Sequence, residues 1–167
     1  EAVRLHKADL GLAFDGDGDR VIAVDHIGDV VDGDHLIALA AVDLHKRGKL
    51  KSNSVAVTVM TNAGFHQAME KAGINVITTP VGDRNILVAF DEHAIVLGGE
   101  QSGHIIYRDH ATTGDGLLAG AMLVDLVRRE AQPLATLARN AMTSLPQTLI
   151  NIRVAQVVSN PADQLTA

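Results

Sequence analysis

The chain has 167 residues, with 14 Lys and Arg against 20 Asp and Glu and a formal net charge of −6. A composition of 47% hydrophobic and 20% charged residues excludes extended disorder, and the acidic balance argues against a nucleic-acid partner. With no Cys there are no disulfides, thiol catalysis or thiolate metal sites, and no apolar run approaches the roughly 20 residues that cross a bilayer, so a cytoplasmic protein without a membrane partner is expected.

In chain order, Leu10 to Phe14 and Val21 to Val24 are short apolar runs separated by Asp15-Gly16-Asp17-Gly18-Asp19-Arg20. That pattern predicts strand, loop, strand, with another turn at Gly28-Asp29. Apolar residues at Leu36, Ile37, Leu39, Ala40 and Leu44 have helical spacing and predict a helix over 34–46, capped by Asp32 or Asp34 and ended by Gly48. Ser54 to Met60 reads as a buried strand. A helix capped by Thr61 or Asn62 follows, stopped by Gly73. Asn75 to Thr79 reads as a strand, 85–91 as a short helix, and Ala94 to Leu97 as a strand running into Gly98-Gly99. Ile105 to Tyr107 is a further short strand, Asp115 to Arg129 a long amphipathic helix, and Leu134 to Ala141 a second helix with Pro133 in its first turn. Pro146 precedes a last apolar strand, Leu149 to Val154.

The alternation of strands and helices predicts an α/β fold: a mostly parallel, mixed sheet with helices on both faces. Residues 1–31 read as the end of one domain, 32–141 as a complete domain, and 142–167 as a linker into another. The chain is therefore expected to be an internal fragment. Surfaces meant for the other domains would leave oligomerisation open. Ligands of such sheets meet the loops at the carboxyl ends of strands, and three loops stand out there: 15–20, 80–84 and 98–104.

The acidic loop carries the strongest chemistry. Glycines between Asp15, Asp17 and Asp19 let the backbone curl so that three carboxylates converge, and such anions repel unless a cation joins them. Hard oxygen ligands favour Mg²⁺, Mn²⁺ or Ca²⁺. An EF-hand starting at Asp15 would need Gly sixth and Glu twelfth, where this sequence has Arg20 and His26, so it fails. The open metal positions suit phosphoryl transfer, with Arg20 clamping the same phosphate. An aspartyl phosphatase using Asp15, or a plain polar hairpin in a non-catalytic binding domain, remain alternatives. In the 98–104 loop, Glu100, Gln101 and Ser102 offer partners for sugar hydroxyls, and His104 could move a proton or donate to a phosphate. Arg84 could meet an anion or simply pair with Asp83.

Together the motifs Phe14-Asp-Gly-Asp-Gly-Asp-Arg20, Thr79-Pro-Val-Gly-Asp-Arg84, Gly98-Gly-Glu-Gln-Ser-Gly-His104 and Ala111-Thr-Thr-Gly-Asp-Gly116 resemble the α-D-phosphohexomutase superfamily, and within it the bacterial phosphoglucosamine mutases. The resemblance implies four domains around a cleft. Asp15, Asp17 and Asp19 would hold Mg²⁺, with Mn²⁺ as a substitute, at the end of the second domain. Arg20 and His104 would lie by the reacting groups. Glu100 and Ser102 would bind the sugar, with Arg84 on the loop that orients it. The implied reaction interconverts glucosamine 6-phosphate and glucosamine 1-phosphate, for amino-sugar and peptidoglycan precursor synthesis. A mutase acting on mannose or glucose phosphates is the nearest alternative. The family's phosphoserine motif is missing: none of Ser52, Ser54, Ser102, Ser144 and Ser159 is followed by His. The chain alone is expected to be inactive.

Overall fold

The computed structural model describes residues 1–148. A short helix, α1 (Ala2–His6), leads into β1 (Leu10–Phe14), which pairs antiparallel with β2 (Val21–Asp25), Leu10 opposite Asp25 and Phe14 opposite Val21. Asp25 closes the next turn, its Oδ1 accepting the N–H groups of Ile27 and Asp29 at 3.0 and 2.9 Å. The two-residue β3 (Val30–Val31) then completes a three-stranded sheet.

The remaining elements are α2 (Gly33–Lys46), β4 (Ser54–Thr58), α3 (Ala63–Ala72), β5 (Asn75–Thr79), α4 (Asp83–His93), β6 (Leu97–Gly99), β7 (Ile105–Tyr107), α5 (Gly116–Glu130) and α6 (Leu134–Ala141). The second sheet has the order β5-β4-β6-β7, with β4 parallel to β5 and β6, and β7 antiparallel to β6. Side chains alternate between its two faces. Val55, Val57, Ile105 and Tyr107 join Ile37, Phe65 and Met69 under α2 and α3. Ala56 and Ile106 point the other way, to Ile86 and Phe90 of α4. The predicted mixed, mostly parallel sheet with helices on both faces is what the chain forms.

Most differences from the expected elements lie where a residue takes an unusual cap. The 83–93 helix is longer at both ends than the expected 85–91. Gly82 caps its start, and Ala94 ends it in the left-handed region with φ 53°. No glycine marks that stop, so the strand was expected to begin at Ala94. Instead Ile95 N–H bonds back to Phe90 O at 3.1 Å, and pairing starts at Leu97. β4 ends at Thr58, two residues before the expected Met60, because the chain turns there: Thr61 N–H donates to Thr58 O at 3.1 Å. Helix α1 and strand β3 were not expected. The strand expected at Leu149 to Val154 lies outside the described residues, as does most of the 142–167 segment.

Helix α2 is the hub, packed against α3, α5, α6 and β6. Its Asp43 is held by Nη1 and Nη2 of Arg129 at 2.8 and 3.0 Å and by Nη1 of Arg47 at 3.0 Å. Burial opposes ionisation of Asp43, but the Arg129 and Arg47 hydrogen bonds outweigh it and hold the carboxyl below its usual range. The stability it contributes is therefore complete above the unfolded value of 3.8 and is lost as pH falls through the lower folded value. Asp43→Asn is expected to cost about 2 kcal/mol at neutral pH, the scale of hydrogen bonds to a charged group. The gap to the parent chain should close as pH drops below 3.8 in urea-unfolding titrations.

Candidate functional site

The acidic loop is the connection between β1 and β2. Gly18 takes φ 75°, a conformation glycine adopts without strain, and its carbonyl accepts the N–H of Gly116 at 2.8 Å. The start of α5 thereby fastens the middle of the loop. One carboxylate oxygen from each of Asp15, Asp17 and Asp19 lies within 4.8 Å of the others. The expected convergence is present. Arg20 folds back over the loop, its Nε 3.2 Å from Asp15 Oδ2 and 3.4 Å from Asp19 Oδ1. Partial desolvation works against ionisation of Asp15, but the Arg20 N–H, the Asp19 side chain and the Arg20 charge together keep its carboxyl below the usual range. Asp17 makes no hydrogen bond or ion pair among the described residues.

The 98–104 loop meets the acidic loop at its far end. Arg20 and His104 form an antiparallel bridge, and Val21 N–H donates to Gly103 O at 3.1 Å. The His104 ring is buried, with Nδ1 3.0 Å from Asp19 Oδ2. A carboxylate only accepts, so Nδ1 donates. The ring was expected near the reacting groups, free to pass a proton or grip a phosphate. In this structure Nδ1 is turned to Asp19, and Nε2 is buried with no hydrogen-bond partner.

At its exposed end the loop carries the sugar-binding candidates. Glu100 Oε1 accepts the N–H of Gly82 at 3.1 Å, which joins the loops after β5 and β6. Ser102 Oγ stands 3.5 Å from Glu100 Oε2. A recess of about 310 Å³ is lined by Thr58, Met60, Val81, Glu100, Gln101 and Ser102. All three loops at the carboxyl ends of β4, β5 and β6 therefore meet there. Arg84 is not among its walls. It lies exposed in the first turn of α4, and Asp83 Oδ1 accepts its backbone N–H at 2.7 Å rather than pairing with its guanidinium.

Sequence reasoning missed the supports. Gln101 Nε2 reaches Asp32 Oδ2 at 3.3 Å, and Gly33 N–H donates to Gln101 O at 3.1 Å, so the start of α2 holds the 98–104 loop. Thr58 and Met60 could have been found from the rule that ligands gather at the carboxyl ends of parallel strands. Nothing in sequence spacing points to Gly114, which packs on the His104 ring. A cleft of about 740 Å³ opens beside the acidic loop, between Asp17 and Asp19 and the Arg108 to Asp115 loop. A larger one of about 1070 Å³ lies elsewhere, between α1 and the end of α5, and contains none of the candidate residues.

The donor set fits a divalent cation. Asp19 Oδ1 is buried without a hydrogen-bond partner, and three hard oxygens converge with one guanidinium as their only nearby counter-charge among the described residues. The family model for the phosphoglucomutase/phosphomannomutase alpha/beta/alpha domain III matches residues 32–145, more than half of the chain. The chain belongs to the phosphoglucomutase/phosphomannomutase family. It is 55% identical to the phosphoglucosamine mutase of Frankia casuarinae over 152 residues, 91% of this chain and 33% of that protein. The identity to the phosphoglucosamine mutase of a Parafrankia species is 51% over 168 residues, 100% of this chain and 36% of that protein. A phosphoglucomutase/phosphomannomutase family protein of Burkholderia thailandensis shares the fold with a TM-score of 0.74 at 27% identity, covering 89% of this chain and 31% of that one. The chain spans about a third of the length of the curated relatives it matches. Among the described residues, no helix of this family member is long and apolar enough to cross a membrane.

Proposed function

We propose that this chain is the metal-binding and sugar-binding part of a phosphoglucosamine mutase, which interconverts glucosamine 6-phosphate and glucosamine 1-phosphate. The observation that carries this reading is the union of the acidic loop with the Glu100 loop through Asp19 and His104, 3.0 Å apart. The phosphoglucosamine mutases at 51% and 55% identity support the choice of sugar. In this reading residues 1–31 close the second domain, 32–141 are the third, and 142–167 lead into the fourth.

Asp15, Asp17 and Asp19 hold Mg²⁺, with Mn²⁺ as a substitute. The bound ion supplies charge neutralisation at the phosphoryl group in transfer. Arg20 spends only its Nε on Asp15 and Asp19, which leaves its two Nη groups for phosphate oxygens. Glu100 is held by the Gly82 N–H through Oε1, while Oε2 and the Ser102 hydroxyl, 3.5 Å apart, are the groups offered to sugar hydroxyls. The phosphoryl donor is a phosphoserine that this chain does not contain, since none of its serines precedes a histidine. Catalysis depends on donor and acceptor being held together in one site, so the chain alone is inactive.

A phosphorus NMR time course tests both halves. Residues 1–155 of this chain replace the matching segment of the Frankia casuarinae relative. The chimera is expected to convert glucosamine 6-phosphate to the 1-phosphate, given Mg²⁺ and a trace of the 1,6-bisphosphate. The chain alone is expected to leave the substrate unchanged. A chimera that turns over only mannose or glucose phosphates would reassign the sugar. Free phosphate released by the chain alone would identify an aspartyl phosphatase.

A further inference from the structure

The segment after α6 reads as a linker in the sequence, yet its first residues are built into this domain through one side chain. Asn62, the cap of α3, is only 5% exposed. Its Oδ1 accepts the N–H of Gly64 at 2.9 Å, which is the helix cap, and also the N–H of Leu145 at 2.9 Å. Its Nδ2 donates to Leu145 O at 2.8 Å and to Gln147 Oε1 at 3.2 Å. The amide thus pairs with both backbone groups of Leu145, as a neighbouring strand would, across 83 residues of chain. A cap needs only the acceptor, which Ser, Thr or Asp would also supply. The donor side requires the amide. Gly64 is an independent sign of the same contact. Its backbone angles do not call for glycine, but a Cβ there would collide with Thr143 O.

The contact reaches the recess after β4. Gln147 Nε2 donates to Met60 O at 3.2 Å, and the Asn62 N–H is held by Asp34 Oδ2 at 2.8 Å, at the start of α2. Thr58 and Met60 line the recess that also carries Glu100 and Ser102. We propose that Asn62 is a positioning residue for the sugar recess: it clasps segment 143–147 to the loop after β4, so that the departing chain buttresses the wall formed by Thr58 and Met60. The inference rests on the sugar-binding reading of that recess. It gives the residues beyond α6 a task inside this domain.

The test uses the full chain, with glucosamine 6-phosphate as the probe and amide NMR signals as the readout. Asn62→Ser keeps a cap for α3 but is too short to grip Leu145. Gly64→Ala leaves Asn62 in place and pushes on Thr143. Gln147→Ala removes an exposed side chain and with it the bond to Met60 O. Asn62→Ser and Gly64→Ala are expected to speed hydrogen exchange at the Leu145 amide about ten-fold, with the inner amides of α3 unchanged. All three variants are expected to shift the Met60 amide signal and to weaken glucosamine 6-phosphate about five-fold or more. A merely structural contact would speed exchange across the whole domain and leave the affinity of the folded molecules alone. Gly64→Ala and Gln147→Ala carry the test if Asn62→Ser does not fold. Unchanged Leu145 exchange in folded Asn62→Ser or Gly64→Ala overturns the clasp. Parental affinity in a variant whose Leu145 amide is released overturns its role at the recess. A parent chain that binds no glucosamine 6-phosphate overturns the sugar reading and that role together, while the exchange rates still decide the clasp.

Discussion

Asp17→Asn is expected to abolish the stabilisation that Mg²⁺ gives this chain while leaving the metal-free fold untouched. Asp17 is exposed and makes no hydrogen bond or ion pair among the described residues, so neutralising it breaks no contact. Metal-free stability should stay within about 0.5 kcal/mol, as for surface changes in general. Removing one of three converging anions also relieves repulsion between them. With the ion the balance reverses, because one of three charged ligands is gone. The loss in affinity should be at least ten-fold, or about 1.4 kcal/mol. The measurement is the unfolding temperature across a Mg²⁺ series. A parent chain stabilised by the ion and a variant equally stabilised would exclude Asp17 as a ligand. The contrast with Asp15 is useful: Asp15 accepts the Arg20 N–H at 3.2 Å, so its replacement would disturb the loop as well as the ion.

The second large effect is structural. Gly33→Ala is expected to destabilise the chain by about 3 kcal/mol, the upper range for overpacking. A Cβ at Gly33 would lie 2.2 Å from Glu100 O and 2.8 Å from both Gln101 O and Gly103 N. These are backbone atoms, so no side chain can swing aside. Either the start of α2 moves or the 98–104 loop does, and the Gly33 N–H to Gln101 O bond is lost with it. For a chain of this size the unfolding temperature should fall by roughly 10 °C. Gly16→Ala is the control, because a Cβ there meets nothing within 4 Å and the backbone has no positive φ. If the two variants melted together, the contact between α2 and the loop would not carry the stability assigned to it.

Much of the architecture was legible because local signals agreed with the fold. Asn62 and Gly73 bracket α3 as a capping residue and a left-handed stop, with Asn62 Oδ1 accepting Gly64 N–H at 2.9 Å. Asp115 does the same for α5, accepting Leu118 N–H at 2.9 Å. Helix ends at Ala94 and Ala131 were less legible, since alanine rather than glycine takes the left-handed angles there. β3 has only two residues, too few for a periodic signal. At the site, spacing alone foresaw the cluster of Asp15, Asp17 and Asp19, because the alternation with glycine is local. The orientation of His104 was not foreseeable, since its partner is 85 residues away in the chain. The supporting contacts of Gly33 and Asp32 with Gln101 are of the same long-range kind.

That separation bears on how the molecule assembles. The acidic loop lies near the beginning of the chain, but it is fastened by His104 and by Gly116. Closing so long a loop costs entropy that only the finished packing repays, so this geometry forms late in folding. The loop leaves the ribosome well before the residues that shape it. On the metal reading, a divalent cation would find no ordered cage during synthesis. It would select the completed structure, slowing unfolding without hastening the search for the native state.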